Sequence, residues 1–255
     1  MERILIRVYG DSLAMPREGE RIAMHETFPE LLRAKCEERL PGVVVHVANR
    51  SRGAATISSA FELYVHDSGF FGPGTDVLII QIGIVDCAPR PIPRWLKKTI
   101  GIFPGRVQRP IIDFLHNNRR RIQGSGFVFR ETPPKRFAAE YRRLLQRAAR
   151  ECRHVYVINM PPTTAEMDAH SPGFAGAILR YNDILGGLVR ELAAPNVHLI
   201  DVYRAVTERQ DGLVTFVNQR DGHHITHAGH DLYAELIFDD IRSVIPAIAP
   251  LTATS

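Results

Sequence analysis

No apolar run in this chain reaches the roughly 18 residues that a membrane-spanning helix needs, so no span is expected. The apolar stretch Ile4-Leu5-Ile6 begins after only three residues and leaves no room for a secretory leader, which makes a soluble cytoplasmic protein the expectation. Cysteine is scarce: Cys36, Cys87 and Cys152 are odd in number and widely spaced. That argues against a disulfide framework or a thiolate zinc site, and it fits a reducing compartment. Aromatic residues make up 8% of the 255 residues, with one tryptophan, and they do not interleave with the bases as a nucleic-acid surface requires. No nucleic-acid partner is expected. Repeats and low-complexity tracts are also missing. What is present, 45% hydrophobic and 24% charged, is the balance of a globular chain.

Five short runs rich in aliphatic and β-branched residues occupy 3–9, 43–47, 76–82, 154–159 and 197–202, each the length of a buried strand. Helical patterns lie between and after them, at 26–40, 56–65, 134–152, 177–192 and 228–244. The clearest of these closes the longest gap: in 134–152, Phe137, Tyr141, Leu144, Leu145 and Ala148 recur at steps of three and four, with arginines opposite. Strands alternating with helices imply βαβ units, a mostly parallel sheet and helices on both faces. One domain over 1–249 accounts for the pattern, with 250–255 expected to fray.

The pattern is interrupted at 87–133, where Pro89, Pro91, Pro93, Pro104 and Pro110 read as an insertion or lid. The net charge of +4 is concentrated there: twelve bases against Asp113 and Glu131 give +10 between residues 87 and 136, leaving −6 elsewhere. Such a cluster is either a solvated excursion or a device that attracts an anionic substrate or surface. Read as a polar lid, it argues against a long-chain lipase.

Two blocks near the chain ends carry chemistry. The first strand runs into Gly10-Asp11-Ser12-Leu13, which puts a hydroxyl at the carboxyl edge of a parallel sheet, where ligands bind in such folds. The same residues are also ordinary turn and cap residues. Near the other end, Asp221 precedes His224 by three, so the acid can hold one ring nitrogen while the other faces a nucleophile. Thr226 is placed to cap the last helix. His223, His224, His227 and His230 are an alternative metal set, but adjacent histidines point apart and no further carboxylates join them, so no metal or other cofactor is expected. His227 and His230 read as solvent-facing or capping residues. Between the ends, Asn49 and Gly53 follow the second strand, and Gly83-Ile84-Val85-Asp86 follows the third, so both belong to the same crevice. Amides at Ser12 and Gly53 would suit an oxyanion hole.

Taken together, these blocks resemble the GDSL esterase or lipase family, more widely termed SGNH hydrolases. The resemblance spans nearly the whole chain, with Tyr181-Asn182 and Gly229-His230 as further echoes. It implies a three-layer α/β/α sandwich with a five-stranded parallel sheet of flavodoxin-like order. It also implies Ser12 as nucleophile with Asp221 and His224 completing a triad, the Ser12 and Gly53 amides as oxyanion hole, and Asp11, Asn49, Val85, Asp86 and Arg90 around the substrate.

The third block departs from the family. Where the family has an asparagine that donates to the oxyanion, this chain has Val85, which cannot donate. Losing one such donor costs roughly a hundred- to a thousandfold in rate. Three readings follow: the Ser12 and Gly53 amides suffice, Arg90 or Asn49 substitutes, or ester hydrolysis is lost. Asp86 suits holding its loop through backbone amides. The expected function is hydrolysis of a small polar, anionic or carbohydrate-linked ester, deacetylation included. The alternatives are acyl transfer by the same serine and non-hydrolytic ligand binding.

Overall fold

The computed structural model describes residues 2–40, 42–72, 75–124 and 128–248. The expected fraying of 250–255 lies outside them. In chain order the elements are β1 (Glu2–Gly10), α1 (Phe28–Arg39), β2 (Val43–Asn49), α2 (Ile57–Phe71), β3 (Thr75–Gln81), α3 (Ile84–Cys87), α4 (Arg94–Ile100), α5 (Gly105–Asn117), α6 (Arg119–Gly124), α7 (Pro134–Glu151), β4 (Cys152–Ile158), α8 (Ala165–His170), α9 (Phe174–Leu192), β5 (Val197–Ile200), α10 (Val202–Thr207), α11 (Gly212–Phe216) and α12 (His227–Ile248).

All strand pairs are parallel, in the order β2-β1-β3-β4-β5, with Ile6 opposite both Val47 and Val77. The expected five-stranded parallel sheet is what the chain forms. Parallel strands covered on both faces must be apolar almost continuously. Val77, Leu78, Ile79 and Ile80 are accordingly all buried, as are Val155 to Ile158. The chain moves one way from β1 to β2 and the other way from β3 to β5. Right-handed crossovers therefore put α1 on one face and α2, α7 and α9 on the other. The observed packing agrees: α1 lies against α12, and α7 against both α2 and α9. The reversal between β1 and β3 opens a crevice at their carboxyl ends, which is where Ser12 emerges.

Helix α7 buries the five residues that its periodicity singled out. Its outer face carries the i,i+4 pairs Arg136–Glu140 and Arg147–Glu151. Helix α2 starts at a reciprocal cap, in which the Thr56 hydroxyl accepts from the Ser59 amide and Ser59 Oγ accepts from the Thr56 amide at 2.9 Å. Buried residues from β1 through α12 form one continuous apolar cluster. The proline-broken segment folds into three short helices, α4 to α6. Its surface is mixed: Trp95, Ile102, Phe103 and Phe114 stand exposed among its bases, which corrects the expectation of a lid that is polar throughout. Among the described residues, no helix is long and apolar enough to cross a membrane.

Candidate active site

Strand β1 delivers Ser12 through a turn with no room for a side chain. A Cβ on Gly10 would lie 2.7 Å from Ser51 Oγ and 2.8 Å from Ala14 Cβ, so glycine is required by close approach. Asp11 then caps a single 3-10 turn, Ser12–Ala14, its carboxylate accepting from the Leu13 amide at 2.9 Å. The Asp11 amide donates to the Gln81 carbonyl at the end of β3. Asp11 is fully buried. Burial pushes its carboxyl up to about 7, against the hydrogen bonds from Leu13 and Gln81. It therefore shapes the turn and offers no surface to substrate, which corrects its expected place among the substrate contacts.

The partner of Ser12 comes from the loop before α12. Val217 and Ile225 bridge antiparallel, and Asn218 accepts from the Gly222 amide and donates to the His224 carbonyl, so the loop closes on itself. Gly222 sits at φ +70, and a Cβ there would collide with Met167 and Thr164. Thr163 Oγ1 and the Thr164 amide donate to its carbonyl at 2.6 and 3.2 Å, tying the loop to the exit of β4. Within this frame Asp221 Oδ1 accepts from the amides of His223 and His224, and Oδ2 accepts from His224 Nδ1 at 2.8 Å. Nε2 of His224 faces Ser12 Oγ at 2.9 Å. Since a carboxylate can only accept, the proton of neutral His224 is on Nδ1, and Nε2 turns its lone pair to the hydroxyl. Burial opposes ionisation of Asp221, but the bonds from the His224 ring and the two backbone amides outweigh it and hold the carboxyl far below the usual range.

Other expected residues fall differently. Asn49 uses both ends of its side chain internally: Nδ2 donates to the Ala14 carbonyl at 2.8 Å and Oδ1 accepts from the Ser51 amide at 3.1 Å. It thus braces the Ser12 turn. Gly53 lies in an exposed turn whose left-handed residue is Ala54, at φ 57. Neither its own φ nor crowding requires glycine at 53. Val85 is half-buried against the core. Asp86 is fully buried and accepts from the Ile57 amide at 3.1 Å, at the start of α2. Like Asp11 it braces the crevice and is sealed from substrate. Arg90 pairs by backbone with Phe129 and lines a cavity of about 380 Å³ inside the insertion, with Ile92, Ile112, Leu115 and Arg119. None of Ser12, Asp221 or His224 lines that cavity.

The four histidines are not brought together. His230 is buried, and its Nδ1 accepts from the Phe28 amide at the start of α1. Burial and the nearby charge of His227 hold its pKa down near 4, so it is a neutral cap. His227 is exposed and reaches the Arg21 carbonyl. Asp221, His223 and His224 do offer donor atoms within 4.8 Å of one another. Nδ1 of both histidines is already bonded within the loop, and Nε2 of His224 to Ser12, so a metal would have to displace those bonds. Thr226 caps α12, as expected, by accepting from the Gly229 amide.

Arg17 had no sequence signal. It lies 3.3 Å from Asp221 Oδ2 and 2.6 Å from Glu20, adding a cation to the carboxylate that orients His224. Asn182 was visible only as an echo. Its amide clasps both backbone groups of Met160, at 2.9 and 2.8 Å, where β4 turns into the site.

A family model for the GDSL-like lipase/acylhydrolase family matches residues 8–232. Similar solved structures include a lipase/acylhydrolase from Enterococcus faecalis, 16% identical with a TM-score of 0.65 over 95% of this chain and 96% of that one. The acetylxylan esterase Axe2 from Geobacillus stearothermophilus is 13% identical, with a TM-score of 0.60 over 93% and 94% of the two chains. The psychrotrophic esterase EstA from Pseudoalteromonas sp. is 13% identical, with a TM-score of 0.55 over 95% and 98%. At these identities the likeness is one of fold. No curated protein sequence matches the chain. The match from β1 to α12 spans both the turn that presents Ser12 and the loop that holds Asp221 and His224, and the chain belongs to the GDSL-like lipase/acylhydrolase family of carboxylic ester hydrolases.

Proposed function

We propose that this chain hydrolyses esters through a Ser12–His224–Asp221 triad. The observation that carries the reading is the run of 2.8 and 2.9 Å contacts from Asp221 through His224 to Ser12, with the ring proton on the Asp221 side. His224 Nε2 takes the proton of Ser12 as Oγ attacks the ester carbonyl, and Asp221 steadies the imidazolium. The amides of Ser12 and Gly53 hold the oxyanion. Collapse expels the alcohol with the proton from His224. Water, deprotonated by the same ring, then releases the acid and restores Ser12.

The substrate is a small polar or anionic ester, acetyl esters of carbohydrates included. The insertion that opens at Arg90 supports the anionic form, since twelve bases against two acids between residues 87 and 136 draw anionic molecules towards the chain. Val85 supplies no oxyanion donor, so the reaction runs below the rate its triad would otherwise permit.

The test is labelling by a fluorophosphonate probe beside p-nitrophenyl acetate turnover, on wild type, Ser12→Ala and Val85→Asn. Labelling and turnover that vanish in Ser12→Ala support the reading, and Val85→Asn is then expected to be faster by roughly a hundredfold. A wild type that neither labels nor turns over, with reactivity gained only in Val85→Asn, would overturn it in favour of non-hydrolytic ligand binding.

A further inference from the structure

Among the described residues eleven large hydrophobic side chains are exposed, and six of them fall within residues 95–114: Trp95, Ile102, Phe103, Val107, Ile112 and Phe114. Monomeric surfaces scatter such side chains singly, whereas a cluster marks a contact surface. Helix α5 buries no residue, and its sides differ. Gln108, Ile112 and Leu115 line the insertion's cavity. Val107, Pro110 and Phe114, three and four residues apart, share a stripe about 140° around the helix from them, at roughly 100° per residue. Phe103 is exposed in the turn that enters the helix. Trp95 on α4 is 68% exposed, and Ile102 in the turn between the helices is 84% exposed. The same segment holds the +10 of residues 87–136, with Lys97, Arg106, Arg109, Arg120 and Arg121 all exposed.

An occupant of this face must accept apolar and cationic groups together. A second copy of the chain would set one +10 segment against another, and like charges across a two-fold contact repel. Nucleic acid would take the charge but leave Ile102, Val107 and Phe114 without apolar cover. An anionic bilayer surface satisfies both: the apolar side chains enter the boundary between headgroups and acyl chains, and the bases stay with the lipid phosphates. The −6 carried by the rest of the chain is repelled from such a surface, so the field also orients the molecule with this face down. We propose that the outer face of α4 and α5 docks the protein peripherally on anionic lipid. The insertion leaves the fold directly after α3, at the carboxyl edge that carries Ser12, so docking would hold the crevice near the interface. The inference does not depend on the triad.

Trp95 is the only tryptophan in the chain and lies in this face, so its emission reports docking directly. Wild-type protein is mixed with vesicles of ether-linked phosphatidylcholine, with and without ether-linked phosphatidylglycerol, which offer no ester to hydrolyse. The expected result is a blue shift and co-flotation with the phosphatidylglycerol vesicles, both reversed by salt. The pair Phe103→Ser and Phe114→Ser is expected to weaken binding by roughly tenfold or more, as is Arg106→Gln with Arg109→Gln. Turnover of p-nitrophenyl acetate by these surface variants should remain at the wild-type level, showing that they fold. Absence of shift and flotation with anionic vesicles would overturn the proposal. So would a blue shift that grows with protein concentration without vesicles, which would give the face to a second copy of the chain.

Discussion

Asp221 has three demands on one carboxylate: the His224 ring, two backbone amides and Arg17. An asparagine there keeps the shape but can present its amide to Nδ1, which stabilises the wrong tautomer and points a proton at Ser12. By analogy with a well-studied serine protease triad, Asp221→Asn is expected to lower kcat about 10⁴-fold, with KM little changed in steady-state assays of p-nitrophenyl acetate. A loss under tenfold would show that the acid is not orienting the base. Gly222 supports the same loop by backbone alone. Alanine at a positive φ, pressed on Met167 and Thr164, should cost about 2–4 kcal/mol, read as a lower urea midpoint. These residues differ in how visible they are in the sequence. Ser12, Asp221 and His224 were legible because each pair of partners is either adjacent in a short block or fixed at a strand end. The need for glycine at 222 and the contact of Arg17 were not, because both depend on what other segments place beside them.

At the scale of elements, the strands were legible because burial on both faces leaves a run of aliphatic residues that no loop would carry: β3, expected at 76–82, forms at Thr75–Gln81. The helices of the insertion were hidden in the sequence for a reason that lies in proline itself. Pro93 and Pro104 occupy the positions before α4 and α5, where a fixed φ and a missing N–H cost nothing, so they start helices. Pro110 sits inside α5 on a surface where water can satisfy the Arg106 carbonyl that it leaves unpaired. The join between β4 and α9 makes a testable case of how elements are tied. Asn182 satisfies both the N–H and the C=O of Met160, which is buried. Asn182→Ala orphans both, at about 1–3 kcal/mol each, so a drop of several degrees in Tm is expected. Asn182→Asp keeps the acceptor and, only when its carboxyl is protonated, can also donate to the Met160 carbonyl, so it should recover part of that loss at low pH. Equal Tm values for the alanine variant and wild type would show that water replaces the side chain freely.

Over the whole molecule, the alternation of strands and helices makes the topology readable, yet it hides which polar groups the folded layers seal in. Asp86 is one: a residue that sequence placed at the substrate lies instead beneath it, in α3 against the start of α2. Burial pushes its carboxyl up to about 7, despite the bonds from Thr132 and the Ile57 amide. In the unfolded chain a carboxyl titrates near 3.9, so between about pH 4 and 7 the native state binds a proton that the unfolded state has lost. This group therefore favours the fold least at high pH, and its cost disappears as pH falls towards 4. The helix dipole of α2 favours the anion by up to about 2 kcal/mol, which trims an upper bound of about 4 kcal/mol from the shift alone. An asparagine keeps an acceptor for Ile57 and never ionises. Asp86→Asn is thus expected to be more stable than wild type by about 2 kcal/mol at pH 8 and equal to it at pH 4, in paired urea titrations. Because His230 is present in both proteins, its own loss of stability below about pH 6.5 cancels in the comparison. A difference between the two proteins that is the same at pH 8 and pH 4 would mean that Asp86 stays ionised throughout, held by the α2 terminus in spite of its burial.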